Sequence, residues 1–85
     1  MFTTYILYSD KLDKFYIGYT SVKIEARLQM HLANHKGFTA KAKDWRIVYA
    51  EQFATKAAAM QREKQLKAWK SNIRIRELIS RSSIE

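Results

Sequence analysis

Eighty-five residues without a cysteine, sixteen of them Lys or Arg against eight Asp or Glu, carry a formal net charge of +8. That length supports one domain over residues 1–85, burying roughly 60–65% of its unfolded-chain surface, and the missing thiols exclude disulfides and thiolate metal sites, as suits a reducing cytoplasm. Residues 1–35 hold four basic and three acidic side chains and residues 36–85 twelve and five, the footprint of a polyanion-binding surface; no apolar run approaches membrane-spanning length, so nucleic acid is the expected partner and a membrane is not.

Thr3 to Ser9 and Lys14 to Thr20 are rich in Tyr, Ile, Thr and Phe, the composition of strands, and Asp10-Lys11-Leu12-Asp13 between them reads as a turn. An even loop pairs Ser9 with Lys14, Leu7 with Tyr16 and Tyr5 with Gly18, which puts both phenols on one face as diagonal neighbours. Gly18 is one of two glycines, and mid-strand it weakens a sheet unless something must approach the backbone closely. Ser21 can cap a helix from about Val22 to His35, ending near Gly37, with Ile24, Leu28 and Leu32 as its apolar stripe. Gly37 to Asp44 reads as a polar, basic loop. Trp45 to Phe53 alternates as a third strand, with Ile47, Tyr49 and Glu51 on one face and Val48, Ala50 and Gln52 on the other. Thr55 caps a helix from Lys56 to about Lys70, and Asn72 caps a last one to about Arg81, with Ile75, Leu78 and Ile79 inward. The order β-β-α-β-α-α implies an α+β fold: a small, mostly antiparallel three-stranded sheet with helices packed around it.

Arg27 and His31 lie four apart, hence neighbours on a helix surface, along one edge of the apolar stripe. Taken alone they read more simply as a polar helix edge, with His31 partly buried and hydrogen-bonded. Glu63 stands at the edge of the arc formed by Ala58, Ala59, Leu66 and Trp69, with Lys56, Lys67 and Lys70 on the same side. A carboxylate so placed can hold Mg²⁺, which takes one or two carboxylates and keeps several waters; the plainer reading is an i,i+4 ion pair with Lys67. Arg62 interrupts the apolar arc with no evident partner beyond a snorkelling stem.

In order and spacing, these pieces together resemble the GIY-YIG endonuclease family, in particular its small stand-alone members. The resemblance rests on Tyr5-Ile6-Leu7, Tyr16-Ile17-Gly18, Glu25-Ala26-Arg27-Leu28 with His31, Phe38-Thr39 followed by lysines, Trp45-Arg46-Ile47-Val48-Tyr49, and Arg62-Glu63-Lys64 ahead of Lys67-Ala68-Trp69-Lys70. Thr3-Thr4-Tyr5 stands where Gly-Ile-Tyr would, which changes backbone freedom but no reacting group. Tyr19 stands where some relatives have lysine, so a phosphate contact must come from elsewhere, with Lys41 and Lys43 the nominees.

The resemblance implies one active site that hydrolyses phosphodiester bonds in DNA with a divalent ion, Mg²⁺ or alternatively Mn²⁺, held by Glu63. It further implies Arg27 against the phosphate oxygens, Tyr5 or Tyr16 as general base with His31 a competitor, and Lys41, Lys43, Lys67 and Lys70 along the nucleic acid. A phenol with a reference pKa near 10 is only about 0.1% ionised at pH 7, so this role calls for a depressed pKa. The main rival function is a nucleic-acid-binding module of the same fold with weak or lost chemistry; a blander one is a protein-interaction domain with a basic surface. The chain leaves no room for a separate target-choosing domain, and its oligomeric state is open.

Overall fold

The computed structural model describes residues 1–33, 37–69 and 72–82, with side chains through residue 81. Strands β1 (Phe2–Ser9) and β2 (Lys14–Thr20) form an antiparallel hairpin whose register pairs Ser9 with Lys14, Leu7 with Tyr16 and Tyr5 with Gly18, as alternation and an even loop require. The Asp13 amide donates to the Ser9 carbonyl at 2.7 Å, and Asp13 takes a left-handed backbone (φ 52°), a conformation that aspartate tolerates well. Asp44 stitches this turn to the rest of the chain: its carboxylate accepts from the Ser9 hydroxyl at 2.6 Å and from the Lys11 amide at 2.9 Å.

Strand β3 (Arg46–Phe53) pairs antiparallel with β1, giving the order β2-β1-β3 and an entirely antiparallel sheet with β2 and β3 at its edges. Its register slips between Ile6 and Leu7: Ile6 opposes Tyr49 while Leu7 opposes Ile47. Val48 is therefore an extra residue, a β-bulge. The expected face assignment of this strand fails for that reason. Ile47 packs with Leu7 and Tyr5, whereas Val48 and Tyr49 both pack on the opposite face with Ile6.

Helix α1 (Ile24–Ala33) starts two residues later than expected. Thr20 Oγ1 accepts from the Val22 amide at 3.2 Å, keeping that segment in a turn, and the Lys23 carbonyl takes the first helical bond, from Arg27. The expected last turn of this helix, to His35, lies outside the described residues. A 3₁₀ turn, Phe38–Lys41, follows Gly37, whose backbone (φ 88°, ψ −175°) is one that essentially only glycine adopts. Helix α2 (Lys56–Ala68) is capped as expected, Thr55 Oγ1 accepting from the Ala58 amide at 3.2 Å, and helix α3 spans Asn72–Ser82.

Two cores sandwich the sheet. Tyr5, Leu7, Ala42 and Trp45 pack with Ile24, Leu28 and Leu32 of α1 on one face; Ile6, Leu66 and Ile75 pack with α2 and α3 on the other. The Thr4 hydroxyl, fully buried, donates to the Ala59 carbonyl at 2.8 Å and ties β1 to α2. Arg62 has a partner after all: its Nε meets Glu51 Oε1 at 3.1 Å, and the Tyr49 hydroxyl donates to the same oxygen at 2.8 Å, which joins α2 to β3. No helix among the described residues is long and apolar enough to cross a membrane.

Candidate active site

At the free edge of β2 the two faces of the sheet meet, and there a cleft of about 490 Å³ opens. The sheet contributes Tyr5, Tyr16 and Gly18 to it, α1 contributes Arg27, and α2, from the opposite face, contributes Lys56 and Glu63. Tyr19, Thr20 and Ser21 continue its wall. A larger depression of about 700 Å³ between Met1, Val22 and Gln52 holds no comparable set of reactive groups. Tyr5, Tyr16, Arg27 and Glu63 thus face one space, even though they come from four elements, whereas His31 is not among the residues lining it.

Gly18 explains how the phenols fit. A Cβ built there would stand 2.8 Å from Tyr5 Oη, 3.0 Å from Tyr5 Cζ and 3.2 Å from Tyr16 Cε2. The group that approaches the bare strand is the pair of tyrosines itself. Their ring centroids are 6.5 Å apart.

Tyr5 is the hub. The residue is only 1% exposed, and its hydroxyl oxygen accepts from Arg27 Nε at 3.3 Å and lies 2.8 Å from His31 Nε2. A buried phenol proton needs an acceptor, and Arg27 can only donate, so the pairing that satisfies both partners sends it to His31, with Nε2 of the neutral imidazole accepting. The Nδ1–H then donates to Thr39 Oγ1 at 3.2 Å, and the Thr39 carbonyl is pinned by the Trp45 indole N–H at 2.9 Å. Tyr16 meets the same imidazole edge-on, with centroids 4.9 Å apart. Thr39, missed as a site residue by sequence reasoning, holds Nδ1; its hydroxyl can accept or donate, so it serves the tautomer that the Tyr5 proton selects at Nε2. Its only signal was its place beside Phe38 in the basic loop.

Electrostatics follow from this burial. Desolvation pushes the Tyr5 phenol above its ordinary value of 10.0, outweighing the hydrogen bond and positive charge of Arg27, which pull it down; the charge of Glu63 adds to the rise. The protein's own groups thus raise this phenol, and Arg27 alone does not supply the lowering that a base needs. Burial, with the charge of Arg27 second, lowers His31 below 6.5, so the ring is neutral at pH 7.

Glu63 Oε2 pairs with Lys67 Nζ at 3.1 Å, the i,i+4 contact anticipated on the helix. Its side chain is mostly covered, 18% exposed, yet it lines the cleft. Among the described residues no three His, Cys, Asp or Glu side chains cluster to enclose a metal. A lone carboxylate facing a cleft fits Mg²⁺, which holds its waters and completes its shell with substrate oxygens, and does not fit a metal caged by protein. Of the nominated lysines, Lys41 sits over the Phe38 ring, Nζ 5.4 Å from its centroid, and Lys43 donates to the Leu32 carbonyl at 2.9 Å. Lys70 lies outside the described residues.

No curated protein and no solved structure gives a significant match to the chain. The model of the GIY-YIG catalytic domain matches residues 1–76. With that match over most of its length, the chain belongs to the GIY-YIG family of nuclease-type domains.

Proposed function

We propose that the chain, acting as a single domain, is a divalent-metal-dependent endonuclease that hydrolyses phosphodiester bonds in DNA at one active site. The observation that carries this reading is the convergence of two phenols, a guanidinium and a carboxylate on one cleft at the β2 edge. Glu63 would hold the ion, Mg²⁺ or Mn²⁺, which when bound supplies Lewis-acid charge at the scissile phosphate.

The remaining chemistry belongs to side chains. Arg27 sets a permanent, planar positive charge beside the cleft, suited to the non-bridging oxygens as charge builds on them. Tyr5 and His31 act together as the base. The attacking water gives its proton to Tyr5 Oη while the phenol passes its own to His31 Nε2, so no free phenolate forms and the proton ends on the imidazole. The 2.8 Å spacing of those atoms supports this coupled transfer, and the neutral ring supplies the acceptor. Thr39 keeps Nδ1–H engaged and Nε2 available. Tyr16 packs the ring in place. A cysteine-free sequence fits a cytoplasmic setting for this activity.

A binding module without chemistry is the second reading. It is favoured by the raised Tyr5 pKa, opposite to what an isolated phenolate base needs. Incubation with plasmid, single-stranded and branched DNA in Mg²⁺ or Mn²⁺ separates the two. Cleavage by the parent chain, lost in Glu63→Ala and Arg27→Ala, supports the nuclease; no product from any substrate, or equal cutting by the variants, rejects it.

A further inference from the structure

A cleft that holds a polyanion needs cations free to meet it, and most of those near this one are engaged. Arg27 donates through Nε to Tyr5 and approaches Met30 Sδ at 3.9 Å with Nη1. Lys67 is paired with Glu63, and Lys41 and Lys43 are turned to Phe38 and the Leu32 carbonyl. Lys56 differs: it lines the cleft beside Tyr19, it is exposed, and among the described residues it has no hydrogen-bond or ion-pair partner.

Its position works against the stability of the free chain. Lys56 is the first residue of α2, where the aligned peptide dipoles leave a positive end that disfavours a cation, and no acidic residue in that turn offsets it. The side chain therefore offers the folded chain little, while adding positive potential to the cleft. Seven residues separate it from Glu63, two turns of one helix and roughly 10 Å along its axis, so both project from the same side of α2 into the same space.

We infer that Lys56 grips a backbone phosphate of the substrate strand flanking the one at Arg27 and Glu63, and so sets the position of the strand in the cleft. The inference rests on the nuclease reading for the identity of the anion. An ammonium is a point charge on a flexible stem, so the contact is to phosphate and blind to base sequence. It supplies a cationic contact where Tyr19, in the same cleft, offers only a neutral hydroxyl. The ligand is a chain of at least two phosphodiesters, because one phosphate cannot occupy both stations.

Binding of a fluorescent oligonucleotide to the full chain, in EDTA so that nothing is cut, tests this over a range of salt concentrations. Lys56→Gln should weaken binding and make the log–log salt slope shallower by about 0.7 for single strands or about 0.9 for duplex. Lys64→Gln, an exposed α2 lysine outside the cleft, controls for the lost net charge and should change the slope far less. The melting temperature of Lys56→Gln should stay equal or rise, whereas a lysine with a structural role would lower it on removal. An unchanged slope, or one shifted as much by Lys64→Gln, overturns the contact whether or not the chain cuts DNA. A shifted slope in a chain that never cuts upholds the contact and rejects the catalytic reading alone.

Discussion

Gly18→Ala adds one methyl group at the point where both phenols cross β2. The new carbon would stand 2.8 Å from Tyr5 Oη, so something must retreat by roughly half an ångström to restore ordinary van der Waals separation. A free tyrosine tip would swing aside at small cost. Tyr5 is 1% exposed and held by His31 at 2.8 Å and Arg27 at 3.3 Å, and the Tyr16 ring would itself stand 3.2 Å from the new carbon. Overpacking of this kind costs about 1–3 kcal/mol, and stretching the Tyr5–His31 bond adds about 0.5–1.5 kcal/mol. Reduced unfolded-state freedom returns about 0.4–1 kcal/mol. The net loss is about 2 kcal/mol, within a span of about 0.5–4, or a fall in Tm of roughly 8–16 °C at the central value for a domain of this size. Thermal unfolding followed by circular dichroism measures it, and cleavage should fall with it because the phenol leaves its place between Arg27 and His31. An alanine variant as stable and as active as the parent would refute the close packing of phenols on bare strand.

Arg27→Ala should reduce cleavage by about 10²–10³-fold if the guanidinium stabilises developing phosphate charge, measured as kcat on a single oligonucleotide. The same substitution removes a positive charge that helps lower His31, so the His31 midpoint, followed by NMR, should move up toward 6.5. His31 also links stability to pH. Its folded pKa is lowered, so the unfolded chain binds the extra proton first: the favourable contribution is complete above pH 6.5 and is lost as pH falls through the lowered folded value. Urea denaturation at several pH values should show this acid-side loss, and His31→Gln should flatten it. Lys67→Gln frees the Glu63 carboxylate of its ion pair, worth only about 0.3–0.5 kcal/mol, so Mn²⁺ affinity by calorimetry should tighten by about twofold.

Much of this architecture is legible in the residues because it is local. The Tyr5–Gly18 pairing follows from period-two alternation across a four-residue turn, and α2 follows from the Thr55 cap and a run of strong helix formers. Arg27 and His31 were placed together by their four-residue spacing, and both reach Tyr5. What escaped is non-local. The bulge at Val48 leaves no mark on the alternation of β3, yet it sends Tyr49 to the face opposite Ile47. Arg62 looked misplaced because its partners, Glu51 and Tyr49, lie on another element. The protonation of Tyr5 depends on how deeply the whole fold buries it, which spacing along the chain does not show, and burial outweighs the neighbouring Arg27. Thr39 reaches His31 from the 3₁₀ turn, and Lys56, legible beside Glu63 on α2, meets Tyr19 only across the sheet edge; neither contact follows from spacing along the chain.

Paramagnetic broadening by substoichiometric Mn²⁺ in the amide NMR spectrum tests most directly whether the α2 carboxylate and the β2 edge form one metal-binding cleft. Loss of the Gly18 and Glu63 signals together, restored by Glu63→Gln, is the result that the account predicts. Broadening centred on the exposed Asp10–Asp13 turn, with Gly18 and Glu63 left sharp, would contradict it.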